Sequence, residues 1–323
     1  MLDSFGRSID YVRISVTDRC DLRCTYCMPA EGVPPIQHSE VLSYEEILRI
    51  VKLLAQLGVK KVRLTGGEPL VRKGLSSLVS NIKEIEGIEK VVLTTNGMLL
   101  SENLPDLVSA GLDGVNVSID AINEDVFQQI TRRSGVNKVL NSIDASLKYP
   151  QLKVKLNCVP MLSNSSEIIP MAERFLQDER LSLRFIEMMP IGLGKDETGL
   201  SEDALRVMLQ SKFGEMTPLK HEPLCGPCRY YKFENLAGKV GFISAVSNCF
   251  CKECNRVRLT SNGFLKTCLQ FDCGVQLRLL MNEPDEVILA AIKHAIWEKP
   301  EHHIFTEQGG AFLEQRTMSQ IGG

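Results

Sequence analysis

Cysteine is the residue in this chain best suited to unusual chemistry, and its spacing is ordered. Eleven cysteines occur in 323 residues, an odd number that cannot all pair as disulfides. Eight fall into two groups: Cys20, Cys24 and Cys27 near the start, and Cys249, Cys251, Cys254, Cys268 and Cys273 near the end. The first group reads Cys20-x3-Cys24-x2-Cys27. A [4Fe-4S] cube needs a ligand at each iron, so three thiolates would hold three irons and leave the fourth open to an external ligand. The competing arrangement is a zinc knuckle, which wants four ligands and usually two C-x2-C pairs; His38 is the nearby fourth candidate. Cys251-x2-Cys254, with Cys268 after thirteen further residues, offers a second set of three thiolates. Here a zinc ribbon is harder to set aside, because Cys249 or Cys273 could complete a four-thiolate site. Cys158, Cys225, Cys228 and Cys249 are required by neither motif and read as buried or incidental thiols, although Cys225 and Cys228 form an extra C-x2-C that a labile third metal or a disulfide could use.

These residues need elements to position them. Short apolar runs at 11–16, 59–64, 91–94, 115–119, 154–160 and 183–187 alternate with helical patterns, which predicts repeated βα units and a parallel sheet. The first helix is the best marked. Ser43 and Glu46 form a capping box, Ile47, Ile50, Val51, Leu54 and Leu57 recur at helical spacing, and Gly58 ends it. Weaker patterns follow near 75–85, 101–109, 123–130, 136–148, 167–177 and 202–212. Thr65-Gly66-Gly67-Glu68, Thr95-Asn96-Gly97, Asp120 and Met188-Met189 all follow the carboxyl ends of runs, where barrels and open α/β sheets place their sites. Beyond about Leu219 the pattern changes to hairpins, at 229–243 and around Asn262-Gly263. The expected architecture is an α/β incomplete (β/α)6 TIM-type barrel over residues 1–218. A cysteine-rich α+β extension, 219–323, then covers the barrel mouth.

C-x3-C-x2-C with Tyr26 directly before the third cysteine matches the radical S-adenosylmethionine (SAM) signature, and Gly66-Gly67-Glu68-Pro69 supports it. From about Tyr11 to Gly323 the sequence resembles the GTP 3′,8-cyclase family of molybdenum cofactor biosynthesis. The matches are TDRCDLRCTYCMP, VRLTGGEPLVRK, TTNG, VNVSID, RFIEMMPIG, GFISAVSNCFCKECNRVRLT and the terminal IGG. The resemblance implies two [4Fe-4S] clusters, one on Cys20, Cys24 and Cys27 with SAM on its open iron, the other on Cys251, Cys254 and Cys268 with the guanine of GTP. It implies that Tyr26, Gly67, Ser118 and Met189 contact SAM. It implies that Arg13, Arg63, Lys155, Arg256, Arg258 and Thr94 grip the triphosphate, with Lys61 and Arg184 as further candidates. Gly322 and Gly323 would reach into the active site and serve turnover. The implied reaction removes hydrogen from the ribose 3′ carbon of GTP, joins that carbon to guanine C8, and ends with one-electron reduction and protonation.

Two rival readings remain at this level. One is a peptide-modifying radical SAM enzyme with an auxiliary cluster; the arginines of NRVRL and the Gly-Gly end speak against it. The other is a zinc-stabilised nucleic-acid-binding protein. Thirty-seven basic against 40 acidic residues give a net charge of −3, which argues against a surface that grips nucleic acid throughout. Forty-four per cent apolar and 24% charged residues are ordinary for a globular chain. The opening MLDSFGRSID holds no apolar leader, and no run is long enough to cross a bilayer, so the expectation is cytoplasmic residence without a membrane partner. The expected partners are GTP, a low-potential electron donor, cyclic pyranopterin monophosphate synthase as recipient of the product, and a second copy in a homodimer.

Overall fold

The computed structural model describes residues 1–34, 36–220, 226–305, 313–314 and 316–322. Each of the six apolar runs forms a strand: β1 (Tyr11–Ser15), β2 (Lys61–Thr65), β3 (Lys90–Thr95), β4 (Gly114–Ser118), β5 (Lys153–Cys158) and β6 (Leu181–Ile186). Between and after them lie α1 (Tyr44–Gln56), α2 (Leu75–Lys83), α3 (Leu100–Ser109), α4 (Glu124–Thr131), α5 (Val136–Ser146), α6 (Ile168–Phe175) and α7 (Glu202–Phe213). The α1 capping box is present, with the Ser43 N–H donating to Glu46 Oε2 at 2.7 Å and the Glu46 N–H to Ser43 Oγ at 3.2 Å. Its Ile47, Ile50, Val51 and Leu54 are buried.

The six strands pair in parallel and in sequence order, so every second residue shares a face. Val12, Ile14, Val62, Leu64, Val91, Leu93, Val115, Val117, Val154, Leu156, Leu183 and Phe185 alternate along the strands and are buried. Burying side chains of this size stabilises by roughly 1.5–3 kcal/mol each. The other face is polar. It carries Tyr11 and Arg13, Lys61 and Arg63, Thr94, Asn116, Lys155 and Asn157, then Ser182 and Arg184, joined by registers such as Arg13 with Arg63, Asn116 with Lys155 and Asn157 with Arg184.

The carboxyl-terminal third forms β7 (Met216–Pro218), β8 (Arg229–Phe233), β9 (Lys239–Ile243), β10 (Arg256–Leu259), β11 (Phe264–Lys266), β12 (Gly274–Gln276) and α8 (Asp285–Trp297). Both expected hairpins occur, β8 with β9 and β10 with β11. One strand of each also joins the barrel sheet. β9 pairs in parallel with β6, and β10 with β1. The result is one twelve-stranded sheet in the order β12-β11-β10-β1-β2-β3-β4-β5-β6-β9-β8-β7. The partial TIM-type barrel thus carries an eight-stranded parallel centre whose outer members come from the carboxyl-terminal segment, and β7 and β12 are its edges. No helix among the described residues is long and apolar enough to cross a membrane.

Candidate active site

The first cysteine triplet lies in the loop after β1. The N–H groups of Cys27 and Met28 both donate to the Cys24 carbonyl at 3.0 Å, which winds the loop into a tight turn. The end of α4 clamps it. Arg132, with φ of 55°, donates from Nη1 to the carbonyls of Arg23 and Met28 at 3.0 Å each. Burial pushes the free thiols up, Cys20 to about 12 and Cys27 to about 11. Iron binding must therefore displace protons from this loop.

The Gly-Gly turn after β2 packs against the same loop. The Gly67 N–H donates to the Thr17 carbonyl and the Glu68 N–H to the Arg19 carbonyl, both at 2.7 Å. A Cβ on Gly67 would sit 2.3 Å from the Arg19 oxygen and 2.6 Å from that of Asp18. Backbone contact with the cysteine loop therefore requires glycine here, independently of any ligand. Glu68 ties in the turn after β3: its Oε1 accepts from Thr95 Oγ1 at 2.7 Å and from the Leu70 N–H at 3.1 Å, and its Oε2 from the Asn96 N–H at 2.7 Å. Asn96 Nδ2 in turn reaches Asp21 at 2.6 Å.

Glu68 is buried, and burial pushes its carboxyl up to about 7 against those hydrogen bonds. A carboxyl whose folded value is raised binds its proton more tightly when native, so its contribution is complete below about 4.5 and is lost as pH rises through 7. In the cluster-free protein the stability of wild type relative to Glu68→Gln should fall between pH 4.5 and 7, on the order of 3 kcal/mol. Denaturant unfolding at both pH values checks this; a constant difference would contradict it.

Tyr26 is held by a hydrogen bond of 2.7 Å from its hydroxyl to Asp120 Oδ2, while Asp120 Oδ1 accepts the Val159 N–H at 2.8 Å. Burial, with Asp120 next in effect, raises the phenol well above its ordinary value. Ser118 ends β4, and Met189 lies in the loop after β6, where its carbonyl accepts the Ile191 N–H at 2.8 Å.

Inside the sheet the cations converge. Arg13 stands in register between Arg258 and Arg63. Arg63 donates to the Tyr11 hydroxyl and, at 2.8 Å, to Thr94 Oγ1. Arg184 donates to Asn157 Oδ1, and the Lys155 ammonium lies 5.3 Å from the Tyr230 ring centre. None of the strand positions sharing this face in β10 and β1 to β6 is acidic. Burial and then Arg258 pull Arg13 well below its ordinary value, and burial and then Arg256 bring Arg258 to about 10. Tyr11 falls to about 7; burial alone would raise it, but Arg63, Arg13 and Lys61 outweigh that. Such a face has a positive potential suited to a polyanion.

The second triplet borders this face through β10. The Cys254 N–H donates to the Cys251 carbonyl at 3.1 Å, closing the turn. Burial would raise the Cys254 thiol, yet Lys299 and Arg256 draw it down to about 6. Cys254 and Cys268 both lie within electrostatic reach of Arg258. Lys299, just past α8, ties the Arg256 carbonyl to that of Thr267 and so brings the Cys254 and Cys268 segments together. Glu187 holds the preceding loop by accepting the N–H groups of Val246 and Ser247 at 2.7 and 3.0 Å. Among the described residues one group of three draws its donor atoms within 4.8 Å of one another, Cys249, Cys251 and His303; neither triplet does so. A zinc ion with bonds of roughly 2.3 Å spans at most about 4.6 Å between ligands, whereas a cube sets each thiolate on its own iron. Neither triplet is therefore gathered around a single zinc ion, and each offers three thiolates of the kind a cube takes.

The tail runs between the triplets. Cys27 Sγ accepts the Ser319 N–H, Ile321 is fully buried, and Arg258 Nη1 donates to the Gly322 carbonyl at 2.9 Å. Gly322 has φ of 78°, and a Cβ there would meet that of Ser15 at 2.9 Å. Gly323 and Cys225 lie outside the described residues. Arg132, Tyr11, Glu187 and Lys299 went unassigned in the sequence, and Glu68 and Asp120 were placed on the site-bearing face without a role of their own. Their signal was weak, since each acts through backbone groups or neighbours distant in the chain.

An α/β partial barrel with a C-x3-C-x2-C loop after its first strand and a Gly-Gly-Glu-Pro turn after its second defines a radical SAM protein. The Radical SAM superfamily model matches residues 14–175, and the model for Molybdenum Cofactor Synthesis C matches 181–305. The chain is 43% identical to a GTP 3′,8-cyclase of Clostridium perfringens (strain 13 / Type A), with 100% of both chains covered. It is 42% identical to one from Geobacter sulfurreducens, over 100% of this chain and 99% of that protein. The chain belongs to the GTP 3′,8-cyclase family. Its fold also resembles Streptococcus suis SuiB, solved bound to S-adenosylmethionine, with a TM-score of 0.66 and 13% identity over 90% of this chain and 68% of that one. As a radical SAM protein it uses an iron-sulfur cluster and SAM.

Proposed function

We propose that this chain converts GTP to 3′,8-cyclo-7,8-dihydro-GTP, the first step of molybdenum cofactor biosynthesis, with each cysteine triplet holding a [4Fe-4S] cluster. The observation that carries the reading is the strip of three arginines, Arg258, Arg13 and Arg63, set in register across β10, β1 and β2 beside Cys254 and Cys268. Cys20, Cys24 and Cys27 would hold the first cluster, which with SAM bound would supply a carbon-centred radical able to remove a hydrogen atom from the ribose. Arg13, Arg63, Lys155, Arg256 and Arg258 hold the triphosphate, guanidinium groups donating bidentately to phosphate oxygens. Thr94 sets the rotamer of Arg63 as well as offering a hydroxyl. Cys251, Cys254 and Cys268 anchor the end that receives guanine. Two anchors fix the ribose between them, which ring closure requires if it is to outrun quenching.

Tyr26, Gly67, Ser118 and Met189 form the SAM side in this reading. Gly322 closes the chamber on the tail that lies beside Cys27 and Arg258, and Gly322 and Gly323 serve turnover. Residues 1–218 and 219–323 then act as one unit, since β9 and β10 extend the first part's sheet. A reducing compartment, the cytoplasm, suits the ten free thiols of the described residues. A low-potential electron donor, a recipient synthase for the product and a homodimer complete the proposal.

Anaerobic incubation with SAM, dithionite and each nucleoside triphosphate in turn tests it. GTP alone should release 5′-deoxyadenosine well above background. Release with another nucleotide or a peptide, and none with GTP, would remove the assignment.

A further inference from the structure

Cys249 is not needed by either triplet, yet it is not isolated. Its sulfur, Cys251 Sγ and a ring nitrogen of His303 lie within 4.8 Å of one another. Cys249 and Cys251 come from the loop between β9 and β10, and His303 from the segment after α8. A buried ion pair holds these segments in place. Arg7 is fixed by Asp3 at 2.6 Å, and its Nη1 donates to the Cys251 carbonyl at 3.0 Å and to that of Glu301 at 2.7 Å. Its Nη2 donates to the Pro300 carbonyl at 2.7 Å. The backbone N–H of His303 donates to Cys251 Sγ. Both His303 ring nitrogens are enclosed and lack a hydrogen-bond partner among the described residues, an arrangement that costs free energy unless something coordinates them.

The spacing decides what that is. Tetrahedral coordination with bonds of roughly 2.0–2.3 Å places donor atoms about 3.8 Å apart, so closing around one ion needs a movement of about 1 Å at most. A four-iron cube needs wider spacing. We propose that Cys249, Cys251 and His303 form a site for a single thiophilic divalent ion, zinc or ferrous iron, that shares Cys251 with the second cluster and is occupied only when that cluster is absent. Binding releases a proton from each thiol. The two thiolates balance the ion's charge, neutral imidazole is the third ligand, and water takes the fourth position. The ion site stands on the geometry alone; its exclusion by the cluster rests on the function proposed above.

The test uses cobalt(II) as an optical probe, added anaerobically to the reduced, metal-free full-length chain with Cys20, Cys24 and Cys27 replaced by alanine. About one equivalent should bind tightly, with intense thiolate-to-cobalt absorption. Cys249→Ser and His303→Ala should each weaken binding at least tenfold, while Cys268→Ser leaves it intact. Absence of tight binding overturns the site, as does loss in Cys268→Ser with no change in Cys249→Ser. Prior reconstitution with iron and sulfide should abolish cobalt binding. Retention of it alongside a formed cluster overturns the sharing of Cys251, and failure to form any cluster would count against the function proposed above without touching the ion site.

Discussion

Gly67→Ala is expected to abolish iron loading at the first triplet while leaving the second able to load. The substituted Cβ would lie 2.3 Å from the Arg19 oxygen, and neither partner can yield cheaply. The Gly67 and Glu68 N–H groups are bonded to carbonyls of the cysteine loop, and Glu68 is locked to Thr95 and Asn96. Relief of the clash must push the loop holding Cys20 away from the sheet. The chain should still fold, because the buried alternation of β1 to β6 is untouched, with a loss within the range of roughly 1–3 kcal/mol typical of overpacking. Iron and sulfide should fall by about half, and SAM affinity should be lost. Full iron content in this variant would show that the close packing of the two loops does not matter.

The second large effect is expected at Arg258→Gln. Glutamine keeps an N–H for the Gly322 carbonyl but removes the charge set beside Arg13 and Arg256. Hydrogen bonds to charged groups contribute roughly 1.5–3 kcal/mol, so GTP should bind about 10- to 150-fold more weakly. A structural arginine would lower the melting temperature of the nucleotide-free protein when replaced. Here like charges are crowded and half-buried, so that temperature should hold or rise, and only the stabilisation by GTP should shrink. Calorimetry with and without GTP separates the two. Unchanged GTP affinity with a lowered melting temperature would remove Arg258 from the triphosphate site.

The barrel was legible because its strands obey a simple alternation. Val12 and Ile14 against Arg13, or Val62 and Leu64 against Arg63, specify both the strand and the face that holds the cations. Capping at Ser43 and Glu46 marked α1 for the same local reason. Parallel pairing of β10 with β1 was not legible, since it joins Arg258 to Arg13 across most of the chain and no local pattern encodes such a partner. α8 was also missed. Ile288, Ile292, Ala295 and Ile296 recur at helical spacing, but exposed Val287 and Trp297 blur the stripe. Missing α8 concealed Lys299 and with it the link between Cys254 and Cys268. Glu68 was seen only as part of a turn, because its partners Thr95 and Asn96 belong to another strand's loop.

Iron and acid-labile sulfide, measured on anaerobically reconstituted protein and on variants lacking either cysteine triplet, test the central claim most directly. Wild type should hold about eight of each and either variant about four. GTP should alter the electron paramagnetic signal of the variant that keeps Cys251, Cys254 and Cys268. One zinc without sulfide at those three residues in the wild type, or a signal indifferent to GTP, would contradict the account.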